Sequence, residues 1–181
     1  MTDDAERQAA FEQLTEEVYE PLQRYLRRRC APVDVDGVFN DALLAIWRRL
    51  DAVPSGRAMP WCYGVARNCL ANYHRGSNRR LRLVGKIGTA ATPPEPTWTS
   101  AADADLHDAL GQLSESDREM IRLWAWERLE PREIAEVLDT TANTVSVRLS
   151  KIRRQLESDI TTKNQPPAGH EPFDSYTERE T

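Results

Sequence analysis

The residues best suited to chemistry are neither carboxylates nor nucleophiles but a mixture of aromatic rings, amides and arginines between positions 61 and 80, WCYGVARNCLANYHRGSNRR. Aromatic rings such as Trp61 and Tyr63 stack on unpaired bases. The amides of Asn68 and Asn72 hydrogen-bond the edges of a flipped base, and Arg67, Arg75, Arg79 and Arg80 hold a phosphate backbone. Trp61 and Tyr73 as core aromatics, with the two asparagines merely on the surface, is the plainer alternative, and the residues alone leave it open.

A second group lies at the C-terminal end. With Val145, Leu149, Ile152 and Leu156 on one face of a helix, Ser146, Val147, Ser150, Lys151 and Arg154 fall on the other, and Asn143 and Thr144 lie near its start. Lys151 is suited to guanine, Asn143 or Ser146 to base edges or phosphate, and Val147 to a thymine methyl. Arg148, Arg153 and Arg154 suit phosphates. A solvated amphipathic helix would explain this segment alone. The short helix before it, opened by Pro131 with Ile134, Ala135 and Leu138 inward, and the turn at Asp139 and Thr140 make it a helix-turn-helix.

Enzymatic chemistry has no support. Asp34, Asp36, Asp41 and the three histidines form no nucleophile–base or paired-carboxylate pattern, and no cofactor is implied. Cys62 and Cys69 invite a zinc or redox reading. Two helical turns, about 10 Å, separate them, beyond disulfide reach, and zinc ligands normally sit two to four residues apart, so small packing residues explain them better.

These groups need helices to position them. Apolar residues recur at helical spacing over 11–29, 38–50 and 61–73, with Pro54, Ser55 and Gly56 between the second and third. Three helices are expected there, forming one domain over 11–84. Residues 85–104, with Pro93, Pro94 and Pro96, read as a flexible linker. A second helical domain follows over 105–157, where Ser114 is the expected cap of a helix carrying Met120, Ile121, Leu123, Trp124 and Trp126. The fold class is therefore all-α, two small helical domains joined by a linker. An acidic arm over 1–10 and an acidic, disordered tail over 158–181 flank them.

The formal net charge of −5 would count against a nucleic-acid binder if it were evenly spread. It is not: residues 1–20 hold seven acids and one arginine, residues 158–181 hold five acids and two bases, and the middle of the chain is net positive. Positions 67–86 contain six bases and no acid. Two basic patches imply two contacts with a polyanion. The odd, scattered cysteines at 30, 62 and 69 suggest reduced thiols, the N-terminus is acidic, and no apolar run approaches the roughly 18 residues of a membrane span. A cytoplasmic protein without membrane insertion is expected.

From about 11 to 157 the chain resembles a group-four, or extracytoplasmic-function, sigma factor of the sigma-70 family. DVDGVFNDALLAIWRRL (34–50) is similar to the family's segment that docks on the clamp helices of the polymerase beta-prime subunit. MPWCYGVARNCLANYHR (59–75) is similar to its promoter-melting segment, and residues 110–156 to its fourth region. The resemblance implies that Asn68 captures an unstacked base of the minus-ten element while Trp61 and Tyr63 place or wedge the melted strand. It puts Ser146, Val147, Ser150 and Lys151 on the minus-thirty-five element. Asp36, Phe39, Asn40, Asp41, Leu44 and Trp47 are the implied polymerase contacts, with core packing the competing role for Phe39, Leu44 and Trp47.

Gly37 stands where the family usually has Asp, Asn40 and Asp41 replace Gln and Glu, and Asp139 and Thr140 replace the Gly and aliphatic residue of the turn. The resemblance further implies core RNA polymerase (beta-prime clamp helices and beta flap), promoter DNA and an anti-sigma factor as partners, and a linker threading toward the polymerase active site. The competing reading, a helix-turn-helix regulator on duplex operator DNA, accounts only for residues 105–157.

Overall fold

A computed structural model of the chain describes residues 2–84 and 101–163, which form seven α-helices and no strand. Helices α1 (Thr2–Arg27), α2 (Val35–Arg48) and α3 (Ala58–Val84) make the first bundle. Helices α4 (Ala101–Gln112), α5 (Glu115–Ala125), α6 (Pro131–Leu138) and α7 (Ala142–Lys163) make the second.

The first core is the inward stripe of each helix. Val18, Leu22, Tyr25 and Leu26 of α1 are fully buried against Val38, Phe39, Ala42 and Ile46 of α2 and Cys62, Ala66 and Leu70 of α3. Small side chains at Cys62 and Ala66 let α3 lie close to its neighbours. The expected acidic arm over 1–10 is instead helical from Thr2. Arg7 explains much of this: it donates to the Asp51 carboxylate at 2.7 Å and to the Trp47 carbonyl at 2.8 Å, with its guanidinium 5.2 Å from the Trp47 ring centroid. Helix α3 outruns the expected 61–73 because residues 74–84 lack apolar periodicity but are rich in Arg and Leu, good helix formers.

Capping chemistry defines the second bundle. The Ser114 hydroxyl accepts from the Asp117 N–H at the start of α5, and at the start of α6 Glu130 and Glu133 form a reciprocal capping box around Pro131. Thr141 caps α7 by accepting from the Thr144 N–H at 3.2 Å. Between α6 and α7, Asp139 adopts φ 52° and the Thr140 N–H returns to the Ala135 carbonyl. This left-handed residue turns the chain in the helix-turn-helix, and Asp tolerates the conformation less well than Gly. Asp139→Gly is expected to raise stability by about 0.5 kcal/mol, a gain of ~1–2 °C in Tm by calorimetry.

The expected linker 85–104 ends in helix, since α4 begins at Ala101, and the expected tail 158–181 begins in helix, since α7 runs to Lys163. Residues 85–100 and 164–181 lie outside the described residues. Reading the sequence as two linked domains did not anticipate that they pack together. Helix α6 lies against α3, with the Val137 Cα 3.9 Å from where a Cβ on Gly64 would stand. Arg57 of the first bundle pairs with Glu136 of α6. Arg29 clasps two acids of the second bundle, Glu119 at 3.0 Å and Glu127 at 2.9 Å, while Tyr25 donates its hydroxyl to Glu119 at 3.1 Å.

Candidate nucleic-acid interface

Helical geometry sorts the candidates on α3. Asn68, Asn72, Arg75 and Arg79 are spaced four, three and four residues apart, and all are exposed, making one polar and basic stripe. Arg75 donates to the Asn72 side-chain oxygen, which fixes the orientation of that amide. Arg67, half-buried, borders the stripe. Trp61 lies one heptad before Asn68 on the same side, half-buried, with the Arg49 guanidinium 5.4 Å from its ring centroid. The side chain of Arg80 lies outside what the structure describes.

Tyr63 does not join this stripe. It is 4% exposed, with its ring 5.2 Å from that of Tyr25, and burial followed by the nearby Glu127 carboxylate pushes its hydroxyl up to about 12. Its position, five residues before Asn68, turns it to the opposite side of the helix, so its expected contact with a melted strand is replaced by core packing.

Helix α7 presents the second surface. Asn143, Thr144, Ser146, Val147, Ser150, Lys151 and Arg154 are exposed, and Val147, at 62% exposed, stands free as an apolar residue on a polar face. Ser146 donates to the Ala142 carbonyl and Arg154 to the Ser150 carbonyl. Arg148, expected on a phosphate, is instead half-buried and held at 2.6 and 2.9 Å by Asp117 of α5, bracing the recognition helix against its scaffold.

On α2, Asp36, Asn40, Asp41 and Leu44 are exposed together, with Leu44 46% exposed among polar neighbours. Phe39 and Trp47 turn inward: Phe39 packs edge-on against Tyr19 and Trp47 against Phe11, each with centroids 5.1 Å apart. They hold the surface from beneath and do not form it.

Sequence reasoning missed the cleft between the bundles, about 710 Å³, whose walls include Arg67, Asn68 and Arg75 of α3 and Arg118, Glu119 and Arg122 of α5. No local signal marks it, because its residues come from distant segments. Asn68 and Arg75 of the α3 stripe therefore border the cleft opposite α5, whereas Asn72 and Arg79 and the exposed face of α7 lie outside its lining.

Cys62 is fully buried, and burial, then the Glu17 carboxylate, pushes its thiol up to about 12. Among the described residues no three His, Cys, Asp or Glu side chains are placed to hold a metal ion. Native protein at pH 8 is expected to react with a disulfide thiol reagent at no more than two of its three cysteines, Cys62 reacting only on unfolding. Rapid reaction at Cys62 would contradict this burial.

The structure is thus two helical bundles, the second carrying a helix-turn-helix with an exposed polar face. Residues 103–156 match the family described as Sigma-70, region 4. The chain is 26% identical over 159 residues to the RNA polymerase sigma factor NccH of Alcaligenes xylosoxydans xylosoxydans, covering 82% of this chain and 86% of that one. It is 24% identical over 153 residues to the ECF RNA polymerase sigma-E factor of Haemophilus influenzae, covering 77% and 79%. Its fold is similar to that of the sigma factor RpoE of Bartonella quintana, solved in complex with the anti-sigma factor NepR. The TM-score there is 0.63 at 20% identity, covering 86% of this chain and 98% of that one. Residues 103–156 thus match region 4 of the sigma-70 family, and over about four-fifths of its length the chain is similar to RNA polymerase sigma factors, among them one of the extracytoplasmic-function group. No helix among the described residues is long and apolar enough to cross a membrane.

Proposed function

We propose that this sigma factor joins core RNA polymerase and directs it to promoters with two separate surfaces: the α3 stripe for the melted minus-ten strand and the exposed face of α7 for the minus-thirty-five element. The observation that carries this reading is the pair of exposed stripes on different bundles, one rich in amides and arginines and the other mixed polar and apolar. The first suits unpaired bases and the second suits base edges in a major groove. Asp36, Asn40, Asp41 and Leu44 supply the surface for the beta-prime clamp helices, and the second bundle engages the beta flap. Melting draws on captured bases, so no hydrolysis is needed. An anti-sigma partner is proposed by likeness to the Bartonella relative, which is seen with one. A cytoplasmic site of action goes with these proposed partners.

Run-off transcription with purified core polymerase tests the proposal. The wild-type chain is expected to confer initiation on a subset of a promoter-fragment library. Lys151→Ala is expected to lower it by roughly 5- to 150-fold, the range of ~1–3 kcal/mol for a lost base contact. A chain that never initiates yet footprints duplex DNA alone would be a helix-turn-helix regulator instead.

A further inference from the structure

The cleft between the bundles is lined by an arginine cluster that its own acids do not balance. Arg29, Arg67, Arg75, Arg118 and Arg122 face it, against Glu115 and Glu119. The side chain of Arg29 is 3% exposed and holds Glu119 and Glu127, yet its Nη2 is buried with no hydrogen-bond partner. The Nε of Arg122 is likewise buried and without one. Arg118 gives its Nε and Nη2 to the carbonyl oxygens of Leu110, Gly111 and Leu113 at the C-terminal end of α4, whose dipole offsets only part of its charge. Burial first, then the nearby Arg29, lowers the pKa of Arg122, with Arg118 adding to the repulsion and Glu119 opposing it.

Buried guanidinium donors left unpaired among like charges are costly, and an anion with several acceptor oxygens relieves both the desolvation and the repulsion. The volume, about 710 Å³, lies within the range of small-molecule sites.

We propose that this cleft binds a compact polyanion of the diphosphate class, either free or carried by a nucleotide, with Arg122 and Arg29 as its inner contacts and Arg67 at its rim. Because Arg29 and Arg67 belong to the first bundle and Arg122 to the second, the bound anion bridges them. The cleft shares Asn68 and Arg75 with the proposed minus-ten stripe, but the binding claim is read by its own measurement.

Isothermal titration of the full chain with inorganic pyrophosphate, and separately with ADP and GDP, tests it. Saturable binding of at least one probe at one site per chain is expected, with Arg122→Gln weakening it at least tenfold. Arg154→Gln, which removes an exposed charge on α7 outside the cleft lining, is expected to leave affinity within twofold. Pyrophosphate binding as tightly as the nucleotides marks the free anion as the ligand; tighter nucleotide binding marks a nucleotide. Should Arg122→Gln fail to fold by circular dichroism, Arg67→Gln, at a half-buried rim position, is the substitute and is expected to weaken binding at least threefold. Absence of saturable binding to any probe overturns the proposal. Equal weakening by Arg154→Gln and the cleft variant also overturns it, since that is the behaviour of diffuse electrostatic attraction.

Discussion

Arg29→Ala is expected to part the two bundles while leaving each folded. The arginine is 3% exposed, its guanidinium lies 3.7 Å from the Tyr25 ring centroid, and it is held by Glu119 and Glu127. Removing it strands Glu127, itself 3% exposed, with only the more exposed Arg28 at 3.0 Å. Loss of one partner from a buried ion pair costs about 3–5 kcal/mol, mostly because a charge is left buried and unpaired. Here the buried charge can be relieved without unfolding, because Glu119 and Glu127 are on one bundle and Arg29 on the other.

Small-angle scattering is therefore expected to show a larger radius of gyration for the variant, with helical content by circular dichroism unchanged. The triple variant Arg29→Met, Glu119→Gln, Glu127→Gln removes the stranded charges and is expected to recover part of the closed population. An unchanged radius of gyration with a lowered Tm would instead place the ion pair's contribution within a single folded unit.

This clasp is also where reading the sequence falls short. Each bundle was legible because its core follows local periodicity: Val18, Leu22 and Tyr25, or Val145, Leu149, Ile152 and Leu156, repeat at helical spacing and are all buried. The exposed face of α7 was legible for the same reason, as the complement of that buried stripe. Arg29, Glu119 and Glu127 carry no such signal. They lie about 90 and 98 positions apart in the chain, and a charged residue at a helix end ordinarily marks solvent.

Periodicity also stops short of the ends of α1 and α3. Residues 2–10 and 74–84 are helical without a regular apolar stripe, so periodicity alone marks neither as part of a helix. Tyr63 shows a different limit: its residue type suited stacking on bases, but its angular position relative to Asn68 places it in the core. Arg148 shows the same for charge, since Asp117, 31 residues away, pairs with it at 2.6 Å.

The packed arrangement bears on the proposed melting step. Asn68 and Arg75 line the cleft, so a strand reaching the α3 stripe meets α5 unless the bundles separate. The face of α7 has no such obstruction. On the proposed reading, duplex recognition by the second bundle is available in the closed arrangement, whereas capture of a base at Asn68 requires opening.

Asn68→Ala is accordingly expected to leave closed-complex formation unchanged and to reduce open complexes roughly 5- to 150-fold, the range for ~1–3 kcal/mol of lost contacts to one base. The amide acts only on a base already out of the stack, and unstacking itself costs a few kcal/mol that the captured base must offset. A template mismatched through the minus-ten element removes that cost in advance, so the variant is expected to approach wild-type initiation there. Lys151→Ala is expected to behave oppositely, weakening the closed complex on duplex DNA, because its proposed contact forms before any base is unpaired. Gel retention at low temperature reads the closed complex, and permanganate reactivity of unpaired thymines reads the open one. If Asn68→Ala weakens the closed complex as much as Lys151→Ala does, or gains nothing from the mismatched template, Asn68 is a duplex or structural contact and base capture belongs to another residue of the stripe.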